Sequence, residues 1–308
     1  MCALVQESRM KIENGLKSDR SMKALTGVSV KELEELVPIF EAVLLEQKSK
    51  RAQPRKRKLG SGPKGVLPTA KAKLFFILFY LKVYPTFDLA GVFFGVDRSR
   101  PCRWVQTFLP VLEKVLGREC VLPKRRISSM QEFVQHFGHL KDIFIDGTER
   151  PTARPTQSKS QKRRYSGKKK AHTRKNLVVC DQDRKVLILS PSKDGSIHDK
   201  KMLDKEDWLR YVPEKVAVWV DKGFDGIQKI MANSQQVVMP KKKPKKGELT
   251  VQEKEQNRII AGLRIVNEHT IGAVKRFAAL THKFRNRKGQ DDLFILLASA
   301  LWNFHLKT

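Results

Sequence analysis

A change of hydrophobic period constrains this chain most. Up to about Leu116 the apolar residues recur at helical spacing, and from Lys141 they come in short runs of strand length. Phe144-Ile145-Asp146-Gly147 ends one of those runs, and Val216-Ala217-Val218-Trp219-Val220-Asp221 ends another. An Asp that ends a buried strand points beyond the sheet edge into a crevice. Gly147, directly after Asp146, leaves room for close approach. The pattern predicts a first strand at 142–146, a hairpin from 176–181 and 185–190, and a helix at 200–209. A strand at 216–221, a helix at 226–233 and a short strand at 237–239 follow.

This order, with helices after it, predicts an α/β domain whose mixed sheet carries helices on its faces. It suits a ribonuclease-H-like fold. There the first strand and the later parallel strand lie side by side, so Asp146 and Asp221 become neighbours. Residues 259–287 read as one long amphipathic helix. At ~100° per residue, Ile260, Leu263, Val266, Ile271, Val274, Phe277 and Ala278 fall in one sector about 140° wide. Arg264, Glu268 and Lys275 sit at the edge of that sector, a carboxylate between two cations. An ordinary surface ion-pair stripe fits the segment equally well on its own. The two strand-end aspartates shift the balance. With Glu268 they form an oxygen-only set suited to Mg²⁺ or Mn²⁺, and two such ions ~4 Å apart serve phosphoryl transfer. Asp142, Asp183 and Asp225 read as turn or surface acids, and Glu149 stays open. His172, His269 and His282 read as surface or DNA-facing groups.

The first half of the chain is helical. Ser29-Val30-Lys31-Glu32 is a capping-box pattern. It opens a helix to about Gln47, with Leu33, Leu36, Val37, Phe40, Val43 and Leu44 on one side and Pro38 expected to kink it. That face fits either dimerisation or plain packing. Residues 48–65 read as a flexible basic linker. Residues 74–81 form a buried helix ended by Pro85-Thr86. Residues 87–94 form a short second helix, Gly95-Val96 the turn, and a third helix capped by Asp97 or Ser99 runs to about Leu109. Short helix, glycine turn and capped helix make a helix-turn-helix. Arg98, Arg100 and Arg103 surround the start of its last helix, where phosphates and base edges are met. A three-helix bundle with a basic face is the plainer reading. A connector at 121–126, a cationic loop at 159–170, another cationic run at 241–246 and a final helix at 291–306 complete the chain.

Lys and Arg number 62 against 32 acids in 308 residues, a net charge of +30. That excess predicts a polyanionic partner, most simply nucleic acid. Cys2, Cys102, Cys120 and Cys180 form no C-x-x-C pair and read as reduced thiols of a cytoplasmic protein. No signal peptide is expected, and the apolar runs are too short to cross a bilayer.

Together, Phe144-Ile145-Asp146-Gly147-Thr148-Glu149, Tyr165-Ser166-Gly167-Lys168-Lys169, Gly195-Ser196-Ile197-His198-Asp199, Val220-Asp221-Lys222-Gly223-Phe224 and Arg264-x-x-x-Glu268 resemble bacterial DDE transposases. The resemblance is to the insertion-sequence five group, related to the Harbinger transposases, over roughly residues 66–305. It implies domains at 1–65 (helix and linker), 66–120 (helix-turn-helix) and 136–308 (catalytic). It implies that Asp146, Asp221 and Glu268 hold Mg²⁺ or Mn²⁺, and that Arg264 and Lys275 hold phosphates. The family's Tyr-Arg-Glu-Lys signature has three and then six residues between its last three members, as Arg264, Glu268 and Lys275 do. Its Tyr position is Ala261 here, so that contact to a DNA end is missing. His198 and Asp199 match a motif of open role and are not taken as ligands. The implied activity is cleavage at transposon ends and joining of the 3′-hydroxyl to target DNA, with a homodimer on double-stranded DNA in the bacterial nucleoid. The rival readings are a DNA-binding regulator with a dead nuclease, a different ribonuclease-H-like nuclease, and a structural basic protein.

Overall fold

The structure, a computed structural model, describes residues 18–50, 65–229, 231, 236–244, 247–286 and 289–308. Residues 51–64 of the expected basic linker lie outside the described residues, as do most of 230–235 and Lys245-Lys246. The chain forms two compact units. One comprises residues up to Leu122 with Arg276–Ala279 and Asn303–Thr308, the other Pro123–Lys275 with Leu280–Trp302.

The first unit is helical. It contains α1 (Asp19–Thr26), α2 (Val30–Lys50), α3 (Ala70–Val83), α4 (Phe87–Phe94) and α5 (Ser99–Arg118). The expected capping box opens α2: the Ser29 N–H donates to Glu32, and the Glu32 N–H donates to Ser29 Oγ at 3.1 Å. The helix runs unbroken through Pro38, with Leu33, Leu36, Phe40 and Val43 fully buried. This face therefore packs inside its own unit. α3 is apolar around its whole girth because it is the central helix, and Phe76 meets Phe94 and Trp104 edge-on at 5.2 and 5.0 Å. The N-cap of α5 is Arg98 in place of the expected Asp97 or Ser99, and Asp97 just before it accepts the Ser99 N–H at 2.9 Å. α5 runs nine residues past the expected end at Leu109, to Arg118, because Val111, Leu112, Val115 and Leu116 continue its buried stripe. At Gly91 a Cβ would stand 2.7 Å from the Val96 carbonyl oxygen. Only glycine permits the closeness of that turn.

The second unit has the mixed ribonuclease-H-like sheet. Its elements are α6 (Met130–Phe137), β1 (Asp142–Pro151), α7 (Ser158–Arg164), β2 (Tyr165–Ser166), β3 (Ala171–Cys180), β4 (Val186–Leu189), β5 (Lys193–Asp194), α8 (Asp199–Leu203), β6 (Ala217–Val220), β7 (Val237–Val238), α9 (Val251–Val274), α10 (Ala278–Thr281) and α11 (Asp291–Lys307), though the first half of α10 and the end of α11 belong to the first unit. The strand path is β2-β3-β1-β6-β7. β3 runs antiparallel to β1 and β4, while β1, β6 and β7 are parallel. One face buries Ile143, Ile145, Leu177, Val179, Val218 and Val220 under Phe133, Phe137, Met202 and Leu203. On the other face Phe144 stacks on Trp219 at 5.6 Å, and Asp142 accepts the Trp219 Nε1–H at 2.7 Å. Asp142 thus sits half-buried at the start of β1, where it holds the Trp219 indole.

Several elements depart from expectation. β1 continues five residues past Asp146 and β3 begins at Ala171, because residues 147–151 pair with 173–177 across the ladder and Ala171 and His172 pair with β2. Part of the cationic loop at 159–170 is the helix α7. The helix expected at 200–209 is a short α8 followed by a 3₁₀ turn at Asp207–Tyr211, and the described residues of 226–233 hold a 3₁₀ turn. The long helix expected at 259–287 begins earlier, at Val251, where Thr250 and Glu253 form a complete capping box. It ends at Val274. Phe277 is fully buried and belongs with Arg276–Ala279 to the first unit, so the chain leaves the helix to deliver it there. The expected apolar sector is also only part of the contact. Leu263 is 45 % exposed, whereas Asn267 and Thr270 are buried.

Candidate active site

The β1–β6 register decides whether the two strand-end aspartates meet. Asp142 pairs with Ala217, Ile143 with Val218, Phe144 with Trp219 and Ile145 with Val220. One further step sets Asp146 beside Asp221. Parallel neighbours lie about 4.8 Å apart along the hydrogen-bonding direction. β6 stops there, while β1 goes on to Pro151. Past Asp146 that edge of β1 has no strand partner among the described residues until Thr152 bridges to Phe284. The open edge is the crevice into which strand-end carboxylates project.

The Asp146 carboxylate accepts the Gly147 N–H at 2.7 Å. Burial pushes its pKa up to about 6. The Gly147 N–H and the Arg264 cation oppose that shift, and Asp221 and Asp199 add to it. Asp221 Oδ1 accepts the Lys222 N–H at 2.7 Å and Arg264 Nη1–H at 3.2 Å. Asp221 and Asp199 thus both oppose the Asp146 charge, while Arg264 reaches Asp221 and Lys175 reaches Asp199. Carboxylates are the hard oxygen donors that a divalent cation such as Mg²⁺ takes.

Asp199 is the member that sequence reasoning left without a role. A Cβ on Gly147 would stand 2.8 Å from Asp199 Cγ. The Gly after Asp146 is therefore needed for the approach of Asp199. Lys175, 8 % exposed, donates to Asp199 Oδ1 at 3.2 Å and to the Ile197 carbonyl at 3.0 Å, and pairs with Glu149 at 3.2 Å. Burial works to raise the Glu149 pKa, but hydrogen bonds from Ser166, Thr173 and Lys175 more than offset it and hold the acid charged. The signal available in sequence was the pairing of Asp146-Gly147 with His198-Asp199.

Other candidates fall in different places. Glu268 lies one turn after Arg264 on α9, is exposed, and makes no hydrogen bond or ion pair among the described residues. No group of three His, Cys, Asp or Glu among the described residues is arranged to hold one metal ion. The structure thus unites Asp146, Asp221 and Arg264 and leaves Glu268 outside that group. Lys275, just past α9, is half-buried. Burial and the nearby Lys169 lower its pKa, while Asp146 and Glu149 oppose that. In the first unit, Arg98, Arg100 and Arg103 are exposed at the start of α5. Arg103 donates to the Ser99 carbonyl and hydroxyl, and Arg98 pairs with Asp88 at 3.5 Å. Asp225 forms an exposed pair with Lys242 at 3.2 Å, well suited to the surface role expected of it.

Comparison with known proteins gives the family. Residues 145–303 match the DDE superfamily endonuclease, and residues 66–118 match the helix-turn-helix of DDE superfamily endonuclease. The chain is 30 % identical over 298 residues to the probable transposase for insertion sequence element IS702 of Microchaete diplosiphon, covering 96 % of this chain and 99 % of that one. No solved structure gives a significant match. No helix among the described residues is long and apolar enough to cross a membrane. With strand-end aspartates side by side, a helix-turn-helix before them and a transposase matched along nearly its whole length, the chain belongs to the DDE superfamily endonucleases of the insertion-sequence transposase type.

Proposed function

We propose that this chain is a transposase of the insertion-sequence five group. It binds the terminal inverted repeats of its element as a homodimer in the bacterial cytoplasm. It then cuts phosphodiester bonds at the ends and joins the freed 3′-hydroxyl to target DNA. Residues 66–120 recognise DNA, with Arg98, Arg100 and Arg103 meeting phosphates and base edges. Residues 136–308 carry the chemistry. Members of this superfamily generally use divalent metals, and Asp146, Asp221 and Glu268 would hold Mg²⁺ or Mn²⁺ here. Bound there, such ions lower the pKa of a water or 3′-hydroxyl and stabilise a leaving 3′-oxygen. Arg264 offers a planar fork to a phosphate and Lys275 a point charge. Because Arg264 reaches Asp221 at 3.2 Å, a phosphate bound to it would lie against the aspartate pair.

The observation that carries this reading is the β1–β6 register that sets Asp146 beside Asp221. A duplex copied from the DNA flanking its own gene tests it in a nicking assay, with Mg²⁺ against EDTA. Asp221→Asn is expected to lose nicking by at least about 100-fold, the loss that even a partner outside the metal's own ligands can bring, with binding of the duplex nearly intact. Nicking by Asp221→Asn at the wild-type rate would end the assignment. One observation favours a second reading, a DNA-binding protein derived from a transposase that no longer cuts: Glu268 stands outside the aspartate pair. Such a protein binds the duplex and leaves it whole in Mg²⁺ and in Mn²⁺ alike.

A further inference from the structure

The function proposed above gives no task to Asp199, yet its surroundings hold it firmly. It is the first residue of α8. The turn before α8 is tied to β3: the Gly195 N–H donates to the Thr173 carbonyl and Lys175 to the Ile197 carbonyl, each at 3.0 Å. Lys175 also donates to Asp199 Oδ1 at 3.2 Å. Lys175 stands opposite Glu149 in the β1–β3 ladder, is buried, and pairs with it at 3.2 Å. A lysine buried between two acids keeps one geometry, because moving it would leave a charge unpaired away from water.

The Asp199 carboxyl group rests on Gly147. A Cβ at Gly147 would meet Asp199 Cγ, Oδ1 and Oδ2 at 2.8, 3.0 and 3.0 Å, before any other atom. Successive side chains of a strand point to opposite faces. Position 147 therefore continues the face of Ile143 and Ile145, on which Met202 and Leu203 of α8 pack, and Asp146 projects from the other face. Between them the Gly147 N–H donates to Asp146 Oδ1 at 2.7 Å. Glycine fixes its own backbone least of all residues, and β6 has already stopped at Val220. Resting on the metal-binding reading of Asp146, we propose that Asp199 is a positioning residue. It braces the Gly147 peptide from the reverse face of β1 and so fixes the Asp146 carboxylate in the orientation that binds a divalent cation. Asp199 is not itself a ligand in this arrangement, because the strand lies between. Lys175 acts one step further out, by holding Asp199. Partners that orient a ligand in this way are worth about 10–100-fold in metal affinity.

Mn²⁺ binding by the full chain, read from the electron paramagnetic resonance of the free ion, tests this in a double-mutant cycle. Asp199→Ala is expected to lose about tenfold in affinity. Asp199→Asn keeps an Oδ1 that accepts from Lys175 and covers Gly147, and is expected to retain most of the affinity. Gly147→Ala changes no charge, but its Cβ displaces the Asp199 carboxyl group, and a loss of about tenfold is expected again. In the Asp199→Ala background the same Cβ meets no carboxyl group, and Gly147→Ala is expected to cost nothing further. Circular-dichroism melts check that each variant is folded, and Asp199→Ser, which opens the same space, replaces Asp199→Ala if that variant does not fold. Wild-type affinity in Asp199→Ala or in Gly147→Ala would overturn the proposal. So would losses that add in the double variant, or equal losses in Asp199→Ala and Asp199→Asn. Asp146→Asn separates the two claims. If it weakens Mn²⁺ binding and Asp199→Ala does not, the positioning role alone falls; if the wild type binds no Mn²⁺, the metal reading falls with it.

Discussion

Asp146→Asn is expected to stabilise the metal-free protein at neutral pH while abolishing DNA cleavage. The two effects have one cause. In the folded chain the Asp146 pKa is about 6, above its ordinary 3.8, chiefly because burial penalises the charged form. Folding therefore favours the protonated acid. Below about pH 4 the group is protonated both folded and unfolded, and ionisation costs nothing. As pH rises through 6 the folded state must hold an unfavourable charge, and the full penalty is present at pH 7. One pKa unit is about 1.4 kcal/mol. Allowing for solvent at the open edge, removal of the charge should stabilise the protein by about 1–2 kcal/mol. That corresponds to roughly 2–6 °C in Tm for a chain of this size. Asn retains an oxygen to accept the Gly147 N–H, so the backbone geometry stays. Melting curves in EDTA should separate wild type from variant at pH 7.5 and converge near pH 4. A variant less stable than wild type at pH 7.5 would show that the carboxylate is not under strain. Cleavage by the wild type should in turn fall as pH drops through about 6, where protonation removes a cation-binding oxygen.

Arg150→Met is expected to destabilise the second unit by about 3–5 kcal/mol, the usual cost of removing one partner from a buried ionic network. Arg150 is 2 % exposed. Its guanidinium donates to the Asp291 carbonyl, to Asn176 Oδ1 and to Ser192 Oγ, each at 2.7 Å. Burial lowers its pKa to about 10, so it remains charged at neutral pH. Asp292 accepts from the Ser192 N–H and hydroxyl at 2.8 and 2.7 Å and pairs with Arg125. Arg174 pairs with Asp291 at 3.1 Å and with Asp194 at 2.7 Å. This network fastens the start of α11 to β1 and β3. Met fills the aliphatic volume but leaves the polar ends of Asn176 and Ser192 without their donor. Urea unfolding checks the loss. A change below about 1 kcal/mol would mean that Arg125 and Arg174 hold the helix start unaided.

The aspartates were legible because each ends an apolar run of strand length, and the parallel pairing follows from the order of elements. The second half of β1 was not. Its residues 147–151 are polar, and they form a strand because Glu149 and Arg150 find buried partners on β3 and α11 that no local pattern announces. α6 was missed for a related reason. Only Phe133 and Phe137 of its eight residues are buried, too short a stripe for a period to show. The start of α9 could have been read from Thr250 and Glu253, the same capping pattern recognised at Ser29 and Glu32. Its end could not, because Phe277 leaves the helix for a core built by distant residues. The burial of Asn267 and Thr270 in place of Leu263 has the same origin. Asn267 lies 3.6 Å from Cys180 Sγ, a contact set by the sheet.

The most direct test of the account is a titration of the metal-free protein with Mn²⁺, followed by electron paramagnetic resonance of the free ion. Wild-type protein should remove Mn²⁺ from solution, and Asp146→Asn and Asp221→Asn should each lose at least about 10–100-fold in affinity, on the scale of losses at metal sites. Mn²⁺ bound as tightly by Asp221→Asn as by wild type would contradict a metal centre at the ends of these two strands.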